Sequence, residues 1–210
     1  MQLIAKNKNS FLYQIKNEQK ILFSIEKNET QESYFLIHFD NENVDLEIDF
    51  QIKEGASALV QILILNFDDH KKSITTHLHL NGSDGKIINN VQVIGFNDSL
   101  TNIELNAYIP KKSHNNEAYQ NIYANLFDRA KAVGKPNLII DSNEVKAGHS
   151  LQVGAISREI IFYLLSRGLS KNEAVKLILY SYFREIFNHF DDEIENRYQP
   201  VIDQVFRRIG

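Results

Sequence analysis

The alternation of apolar and polar residues predicts β-strands over the first two thirds of the chain. The clearest pattern covers residues 44–52, where apolar residues occupy every second position, as they do in a half-buried strand. Further strands are predicted at residues 20–26, 34–39, 58–65, 74–80, 86–94 and 100–109. Turn-forming sequences such as Glu54-Gly55 and Asp68-Asp69 separate several of these strands.

The spacing of the strands fits two architectures. From Val44 onward the strand centres recur every ~13–15 residues. An antiparallel sandwich or meander has this spacing, and so does a β-helix, in which each turn buries the apolar side of its neighbours. Spacing alone leaves both architectures open. The sequence has no strict hexapeptide or nonapeptide repeat, which argues against a left-handed acyltransferase-type solenoid.

Residues 117–132 have an ambiguous pattern. Ala118, Ile122 and Leu126 are spaced as on one face of a helix. Tyr119 and other aromatic residues in the stretch also permit a strand. We therefore expect a short helix here, with a strand as the alternative.

Helical patterns begin at about Ser157. Ser157 can cap a helix that ends at Gly168, and Ser170 with Glu173 reads as a capping box that starts a second helix. A third segment is interrupted by Pro200, which either kinks the helix or begins a new one. The sequence therefore predicts an α+β chain, with a β-rich part at residues 1–156 and a helical part at residues 157–210.

An apolar stripe runs along the second predicted helix. It consists of Tyr182, Phe183, Ile186 and Phe187. Such a stripe is more often core than interface. However, two or three helices at one end of a β-rich part cannot bury all their apolar residues on one another, so an apolar groove for a partner is also expected.

Composition narrows the class of protein. The chain has 210 residues, of which 43% are hydrophobic and 24% charged, and its net charge is -4. No Lys/Arg run exceeds two residues, which argues against nucleic-acid binding. No apolar run is long enough to span a bilayer, and the first residues lack signal-peptide features. These features predict a cytoplasmic protein that binds neither nucleic acid nor membrane.

Cysteine is absent from the chain. This absence excludes disulfides, thiolate nucleophiles and any cluster held by cysteines of this chain. Asparagine is abundant instead, with 22 residues, so a single asparagine is a weak functional signal.

Few residues are arranged as a chemical site. His77 and His79 lie two positions apart on a predicted strand, so they face one side and could share a metal ion. Because the sequence places no third ligand nearby, a solvated sheet face is the favoured interpretation. Three further histidines are expected to face solvent: His38, His114 and His189.

Neither the paired carboxylates nor any nucleotide-binding or catalytic motif indicates an active site. Asp68-Asp69 and Asp191-Asp192 are interpreted as turn and helix-start features. No phosphate-binding glycine loop, serine elbow or HExxH motif occurs. The residues alone therefore show no active site, and we expect a protein that is not an enzyme.

One stretch is far more specific than the rest. In residues 135–154, Pro-Asn-Leu-Ile-Ile leads to Val-Lys-Ala-Gly-His and then to Val-Gly. This order resembles the C-terminal signature of the SufB/SufD family of iron–sulfur cluster assembly proteins, in which Pro-x-Leu-x-Ile precedes Val-Lys-Cys-Ser-His and Val-Gly. Residues 162–170 are similar to the family's Phe-Tyr-Leu-x-Ser-Arg-Gly-Ile segment, and Glu173-Ala174 matches its Glu-Ala pair. Residues 121–132 match more loosely.

The resemblance implies a right-handed β-helix core followed by a C-terminal helical domain. Family members pair through their β-helices, their C-terminal helices dock the ABC-type ATPase SufC, and the complex builds iron–sulfur clusters. This chain would then be a short, SufD-like form without the N-terminal domain of full-length members, with SufB-like and SufC-like partners. The candidate partner-binding residues lie in the helical part: Tyr163, Arg167, Tyr182, Phe183, Ile186 and Phe187.

The chain departs from the family at the metal-facing positions. The family's cysteine is Ala147 here and its serine is Gly148, so His149 is the one candidate metal-binding and cluster-proximal residue. A lone imidazole cannot hold a cluster. We therefore expect no cofactor held by this chain alone and at most an Fe–S cluster shared at an interface. The alternative for His149 is a turn histidine whose ring bonds a backbone carbonyl.

Two other functions remain open. The first is a homodimeric family member with no cluster role, which the absence of cysteine favours. The second is a β-solenoid enzyme that acts on a polyanionic or sugar substrate. Its acidic candidates are Asp45, Glu47 and Asp49, which on an alternating strand form the expected solvent face.

Overall fold

The computed structural model describes residues 1–15, 19–37 and 43–209. Within these residues twelve strands precede three helices. The strands are β1 (Gln2–Asn7), β2 (Ser10–Gln14), β3 (Lys20–Ile25), β4 (Thr30–Ile37), β5 (Val44–Lys53), β6 (Ser57–Asn66), β7 (Lys71–Asn81), β8 (Lys86–Gly95), β9 (Leu100–Ile109), β10 (Asn116–Leu126), β11 (Lys131–Ile140) and β12 (Val145–Gly154). The helices are α1 (Arg158–Ser166), α2 (Lys171–Phe187) and α3 (Asp192–Arg207).

The strands alternate between two sheets. Sheet A has the order β1-β2-β4-β6-β8-β10-β12, and sheet B has the order β11-β9-β7-β5-β3. The pairings are parallel, with the exception of the antiparallel pair β1–β2. Each turn of the chain therefore adds one strand to each sheet. The fold is a β-helix followed by helices, as the family resemblance implied, and the sandwich alternative is wrong.

Left-handed backbone conformations occur at the corners between strands. Two stacks of residues with positive φ run along the solenoid: Asn28, Gly55, Asp84 and Asn115 in one, and Asp68, Asn97 and Asp128 in the other. Glycine, asparagine and aspartate adopt this conformation most readily. Backbone bonds join successive corners; the N–H of Gly55, for example, donates to the carbonyl of Ser83 at 2.9 Å. Part of the asparagine content is thus explained by the fold.

The solenoid interior is an apolar core. Alternate residues of each strand point inward, and those of β5 are buried: Val44, Leu46, Ile48, Phe50 and Ile52. Equivalent residues on the neighbouring strands join them in one continuous cluster. Burial of each large aliphatic or aromatic side chain contributes about 1.5–3 kcal/mol, so this core is the main source of stability for the β-helix.

Helices α2 and α3 cover the outer face of sheet A. Leu179 and Phe183 of α2 and Ile202 of α3 are fully buried in one cluster with Leu63 of β6 and Phe96 beyond β8. The helices therefore share a core with the sheet. No helix in the described ranges combines the length and apolar character needed to cross a bilayer.

The helix starts agree with the sequence signals. Ser157 accepts a hydrogen bond from the backbone N–H of Ile160, and Ser170 with Glu173 forms the predicted capping box. Pro200 lies inside α3 and does not begin a new helix.

The expected helix at residues 117–132 is wrong. That stretch contains nearly all of β10, a corner and the start of β11. Gln120 occupies an inward position of β10 and is fully buried, so a polar residue interrupts the alternation that would have identified a strand. The predicted strand at residues 34–39 corresponds to β4, and His38 lies outside the described residues.

The packing of α2 on sheet A can be tested with two substitutions on the same helix. Phe183→Ala should lower the free energy of unfolding by about 3–5 kcal/mol, because the ring is removed from a closed core. Leu177→Ala is the control and should change it by less than about 0.5 kcal/mol, because Leu177 is exposed. Urea unfolding followed by circular dichroism measures both. Equal effects would contradict the packing of α2 on the sheet.

Candidate functional site

His149 lies on β12, the last strand of sheet A. In the parallel ladder His149 stands opposite Gln120 of β10, which stands opposite Asn89 of β8. Gln120 and Asn89 are fully buried inside the solenoid. Because residues opposite each other on paired strands share a side of the sheet, His149 continues this inward polar column to the end of the β-helix.

The β-helix is open at this end. Among the described residues no strand pairs with the outer edge of β11 or β12. The inward side chains of the last turn are consequently uncovered, and Leu151 is 48% exposed although it faces inward. Leu151 lies so close to Gly134 that a Cβ on that glycine would be 2.5 Å from the leucine Cδ1. Unpaired strand edges and apolar side chains therefore meet on one surface, which we call the open end.

Gln120 lies one turn behind His149 and has an unsatisfied amide. Neither its Nε2 nor its Oε1 has a hydrogen-bond partner in the described part of the chain. Asn89, one turn further in, donates through Nδ2 to Thr76 Oγ1 at 2.8 Å. A buried unsatisfied polar group costs about 1–3 kcal/mol, and native structures contain few of them. The column behind His149 is thus maintained at a cost in stability.

The neighbours of His149 set the character of the open end. Ala147 lies on the same inward side and is exposed, so a methyl group stands where the family has a thiol. Gly148 faces outward, with a Tyr119 ring atom 3.6 Å from the position of a Cβ. On the outer face the Lys146 ammonium lies 3.0 Å from Glu117 and lowers the pKa of that carboxyl group.

Helix α1 presents apolar residues to solvent. None of its residues is buried; Phe162 is 73% exposed and Tyr163 is 55% exposed. The guanidinium carbon of Arg167 lies 5.3 Å from the centre of the Tyr163 ring, a cation–π contact that holds both side chains at the surface. Exposed aromatic residues beside an arginine have the composition of a protein interface.

A cleft lies beside the exposed side of α1. It has a volume of about 580 Å³ and is lined by residues of α1 and α2, by the corner after β10, and by the segments that follow β12 and α3. Arg208 forms part of its wall, with its guanidinium carbon 4.5 Å from the Phe67 ring centre and Nη1 3.2 Å from an Asp68 carboxylate oxygen. The cleft and the exposed face of α1 together form a second surface, which we call the α1 surface.

The predicted partner-binding residues lie in two environments. Tyr163 and Arg167 are on the α1 surface. Phe183, Ile186 and Phe187 are buried against sheet A and α3, so in this conformation they offer no surface to a partner. The core interpretation of that stripe therefore describes these three residues.

Tyr182 is half-buried beside this core. Its hydroxyl accepts a hydrogen bond from Asn125 Nδ2 at 2.7 Å, and burial raises the pKa of the tyrosine. Like the rest of the stripe, Tyr182 joins α2 to sheet A, here through a hydrogen bond to β10, and it is not part of the α1 surface.

The other predicted chemical residues lie away from the open end. Asp68 is a corner residue with φ 59°, and Asp191 is the N-cap of α3, so the turn and helix-start interpretations are confirmed. The sequence placed no third ligand beside His77 and His79, but the fold brings two carboxylates to them. Glu47 and Asp49 of β5 lie beside them on the outer face of sheet B.

Sequence reasoning missed two functional candidates. Gln120 was hidden because only the register of β10 reveals that it faces inward. Phe162 belongs to a family-like motif, but the motif does not show that its side chain is exposed. The exposure follows from the position of α1 outside the core that α2 and α3 form. A polar residue within an otherwise apolar alternation was the available signal for Gln120.

The architecture is that of a β-helix protein with a C-terminal helical layer and two uncovered surfaces. The family model described as "SUF system FeS cluster assembly, SufBD core domain" matches residues 13–182. The match covers most of the chain, and the chain therefore belongs to the SufBD family.

Individual relatives match over shorter stretches. The iron–sulfur cluster assembly protein SufD of Bacillus subtilis is 31% identical over 84 residues, which are 40% of this chain and 19% of that protein. SufD of Escherichia coli is 38% identical over 76 residues, 36% of this chain and 16% of that protein. A SufBD family protein of Pyrococcus horikoshii is 25% identical over 152 residues, 71% of this chain and 34% of that protein. The matched part of the chain thus spans about a third or less of each relative.

The cost of the buried amide can be measured by replacing it. Gln120→Met keeps the length of the side chain and removes the unsatisfied amide, so the free energy of unfolding should stay the same or rise by up to about 1–3 kcal/mol. Asn89→Leu is the comparison: it also removes an unsatisfied oxygen, Oδ1, but breaks the hydrogen bond to Thr76, so its free energy of unfolding should lie about 1 kcal/mol below that of Gln120→Met. Chemical denaturation measures both. A clear loss of stability in Gln120→Met would show that the amide is satisfied in solution.

Proposed function

We propose that this chain is a non-catalytic subunit of a Suf-type iron–sulfur cluster assembly complex. Its open end pairs with a SufB-like scaffold subunit, and its α1 surface binds a SufC-like ATPase. Membership of the SufBD family supports the assembly role, and the names of its SufD relatives support the SufD side of the complex. ATP hydrolysis belongs to the ATPase partner.

The observation that carries the proposal is the uncovered last turn of the β-helix. Two unpaired strand edges, exposed inward residues such as Leu151, and a buried polar column that ends at His149 meet there. A second β-helix that presents its own end can continue the sheets and cover the apolar residues. Strand addition supplies affinity through backbone hydrogen bonds, and the side chains between the two ends supply specificity.

His149 acts at this interface in a supporting role. The cluster is the cargo of the complex, and this chain offers one imidazole and no thiolate at the open end. An imidazole can ligate iron, but a cluster needs further ligands. The SufB-like partner therefore provides most or all of them, and His149 contributes one ligand or orients one. Gln120 lies in the turn behind it and can hydrogen-bond to His149 or to the cargo.

The α1 surface suits the ATPase because it combines exposed aromatic residues with an apolar cleft. Phe162 and Tyr163 are exposed aromatic residues beside an apolar cleft, and Arg167 is fixed on the Tyr163 ring. Aromatic and arginine side chains account for much of the binding energy in protein interfaces. Binding there leaves the shared core of α2, α3 and sheet A intact.

A homodimer without a cluster role is the second candidate. The absence of cysteine favours it, because two copies of this chain joined at their open ends would bring together two imidazoles and no thiolate. The two candidates use the same surface and differ in whether iron and sulfide accumulate there.

Two substitutions should separate the two surfaces. Leu151→Asp should weaken pairing with the SufB-like subunit by at least about 30-fold, because a carboxylate would be buried unpaired. Phe162→Ala should weaken binding of the SufC-like ATPase by about 5–30-fold through loss of an aromatic contact. Each variant is the control for the other, with purified subunits of the same organism and calorimetry as the readout. Identical losses in both variants, or none in either, would contradict the assignment of two surfaces.

The role of His149 is tested in the assembled complex. His149→Ala should leave the complex intact and reduce its iron and sulfide content after anaerobic co-expression, because loss of a ligand or of a group that orients one costs about 10–100-fold in metal affinity. His114→Ala, an exposed histidine at a corner, is the matched control. Full cluster content in His149→Ala would favour the candidate without a cluster role.

A further inference from the structure

The outer face of sheet B brings together four side chains that bind metals. Glu47 and Asp49 project from β5, and His77 and His79 project from β7. The parallel register sets Asp49 directly opposite His77. Sheet B faces away from the helical layer, which packs on sheet A. The cluster therefore lies on the opposite sheet from the one that the helices cover.

Three of the four side chains lie close enough together to share a small ion, and the fourth, His79, lies beside Asp49. Ligand atoms of Glu47, Asp49 and His77 all lie within 4.8 Å of one another. The Nε2 atom of His77 is 3.5 Å from Glu47 Oε1, and Nε2 of His79 is 3.8 Å from Asp49 Oδ1. Ligand atoms at the usual 2.0–2.2 Å from a tetrahedral zinc ion lie roughly 3.3–3.6 Å apart. The side chains must therefore move closer together to enclose an ion, and His79 must move with them.

Tyr108 of β9 orients the two imidazoles. Its hydroxyl oxygen is 3.3 Å from Nδ1 of His77, and its ring stacks on His79 with the ring centres 4.6 Å apart and the planes 6° apart. When Nδ1 of His77 donates to the hydroxyl, Nε2 keeps its lone pair and points at the carboxylates. A second partner on the far nitrogen is the usual arrangement for histidine ligands of metals.

Lys20 balances half of the charge of the two carboxylates. Its ammonium lies 2.6 Å from a Glu47 oxygen and 3.0 Å from an Asp49 oxygen. The lysine side chain is largely exposed, so it can leave for solvent when another cation arrives. Two carboxylates carry two negative charges, and metal-binding imidazoles are neutral. A divalent ion would neutralise both charges, whereas the single ammonium of Lys20 neutralises one.

We infer that Glu47, Asp49, His77 and His79 form a site for a divalent transition-metal ion of the zinc class. Two imidazole nitrogens and two carboxylate oxygens are ligands that Zn²⁺ and Co²⁺ accept in tetrahedral geometry. Mg²⁺ and Ca²⁺ prefer sites made of oxygen alone. Lys20 is the competing cation, and Tyr108 is a positioning residue. The inference does not depend on the proposed function.

The test is a Co²⁺ titration of the full chain without an affinity tag, followed by visible absorption. The wild-type protein should give the intense bands of tetrahedral Co²⁺ with one ion per chain, and Zn²⁺ should displace it while Mg²⁺ does not. His77→Ala and Glu47→Gln should weaken binding by more than tenfold, because each removes a ligand and loss of an outer partner alone costs about 10–100-fold. His114→Ala is the matched control and should bind as the wild type does.

Two further variants distinguish a built site from surface adsorption. Tyr108→Phe should weaken Co²⁺ binding by about tenfold while all four ligands remain. Lys20→Met should tighten it a few-fold, because the competing ammonium is gone. Circular dichroism checks that each variant is folded. Absence of tetrahedral bands at millimolar Co²⁺, or equal affinity in the wild type and His77→Ala, would overturn the inference.

Discussion

The backbone ladder between successive turns is the constraint on which the rest of this structure depends. Parallel pairing satisfies the N–H and C=O groups of each inner strand on both sides, and it fixes which residues of every strand face the interior. The same ladder cannot satisfy its own last turn. An open end at β11 and β12 is therefore a geometric consequence of the solenoid, and the helices, which lie on the face of sheet A, leave that edge uncovered.

The interior combines two demands that conflict. Apolar side chains fill most of the inward positions and stabilise the turns. Asn89 and Gln120 interrupt them on adjacent turns in line with His149, at a cost that the surrounding core offsets. The open end therefore presents an imidazole with hydrogen-bonding side chains behind it, which a purely apolar end would lack.

Much of the fold was predictable from local patterns, and the site was predictable in part. Alternation identified β3 to β9 because most of their inward residues are apolar, and capping residues located the starts of α1 and α2. The prediction failed at residues 117–132 because Gln120 interrupts the apolar alternation. The same residue is part of the polar column behind His149. Position 149 was found through a motif. The neighbours of His77 could not be found, because Asp49 meets it only through the register of β5 and β7.

The two ends of sheet A are different in kind. At the first end β1 runs antiparallel to β2 and contains a register shift between Leu3 and Ala5, features that prevent a further parallel strand from being added. At the other end β12 continues the parallel direction with a free edge. Pairing of two such free edges would leave only the blunted edges outside, a geometry that favours a closed pair over a growing fibre.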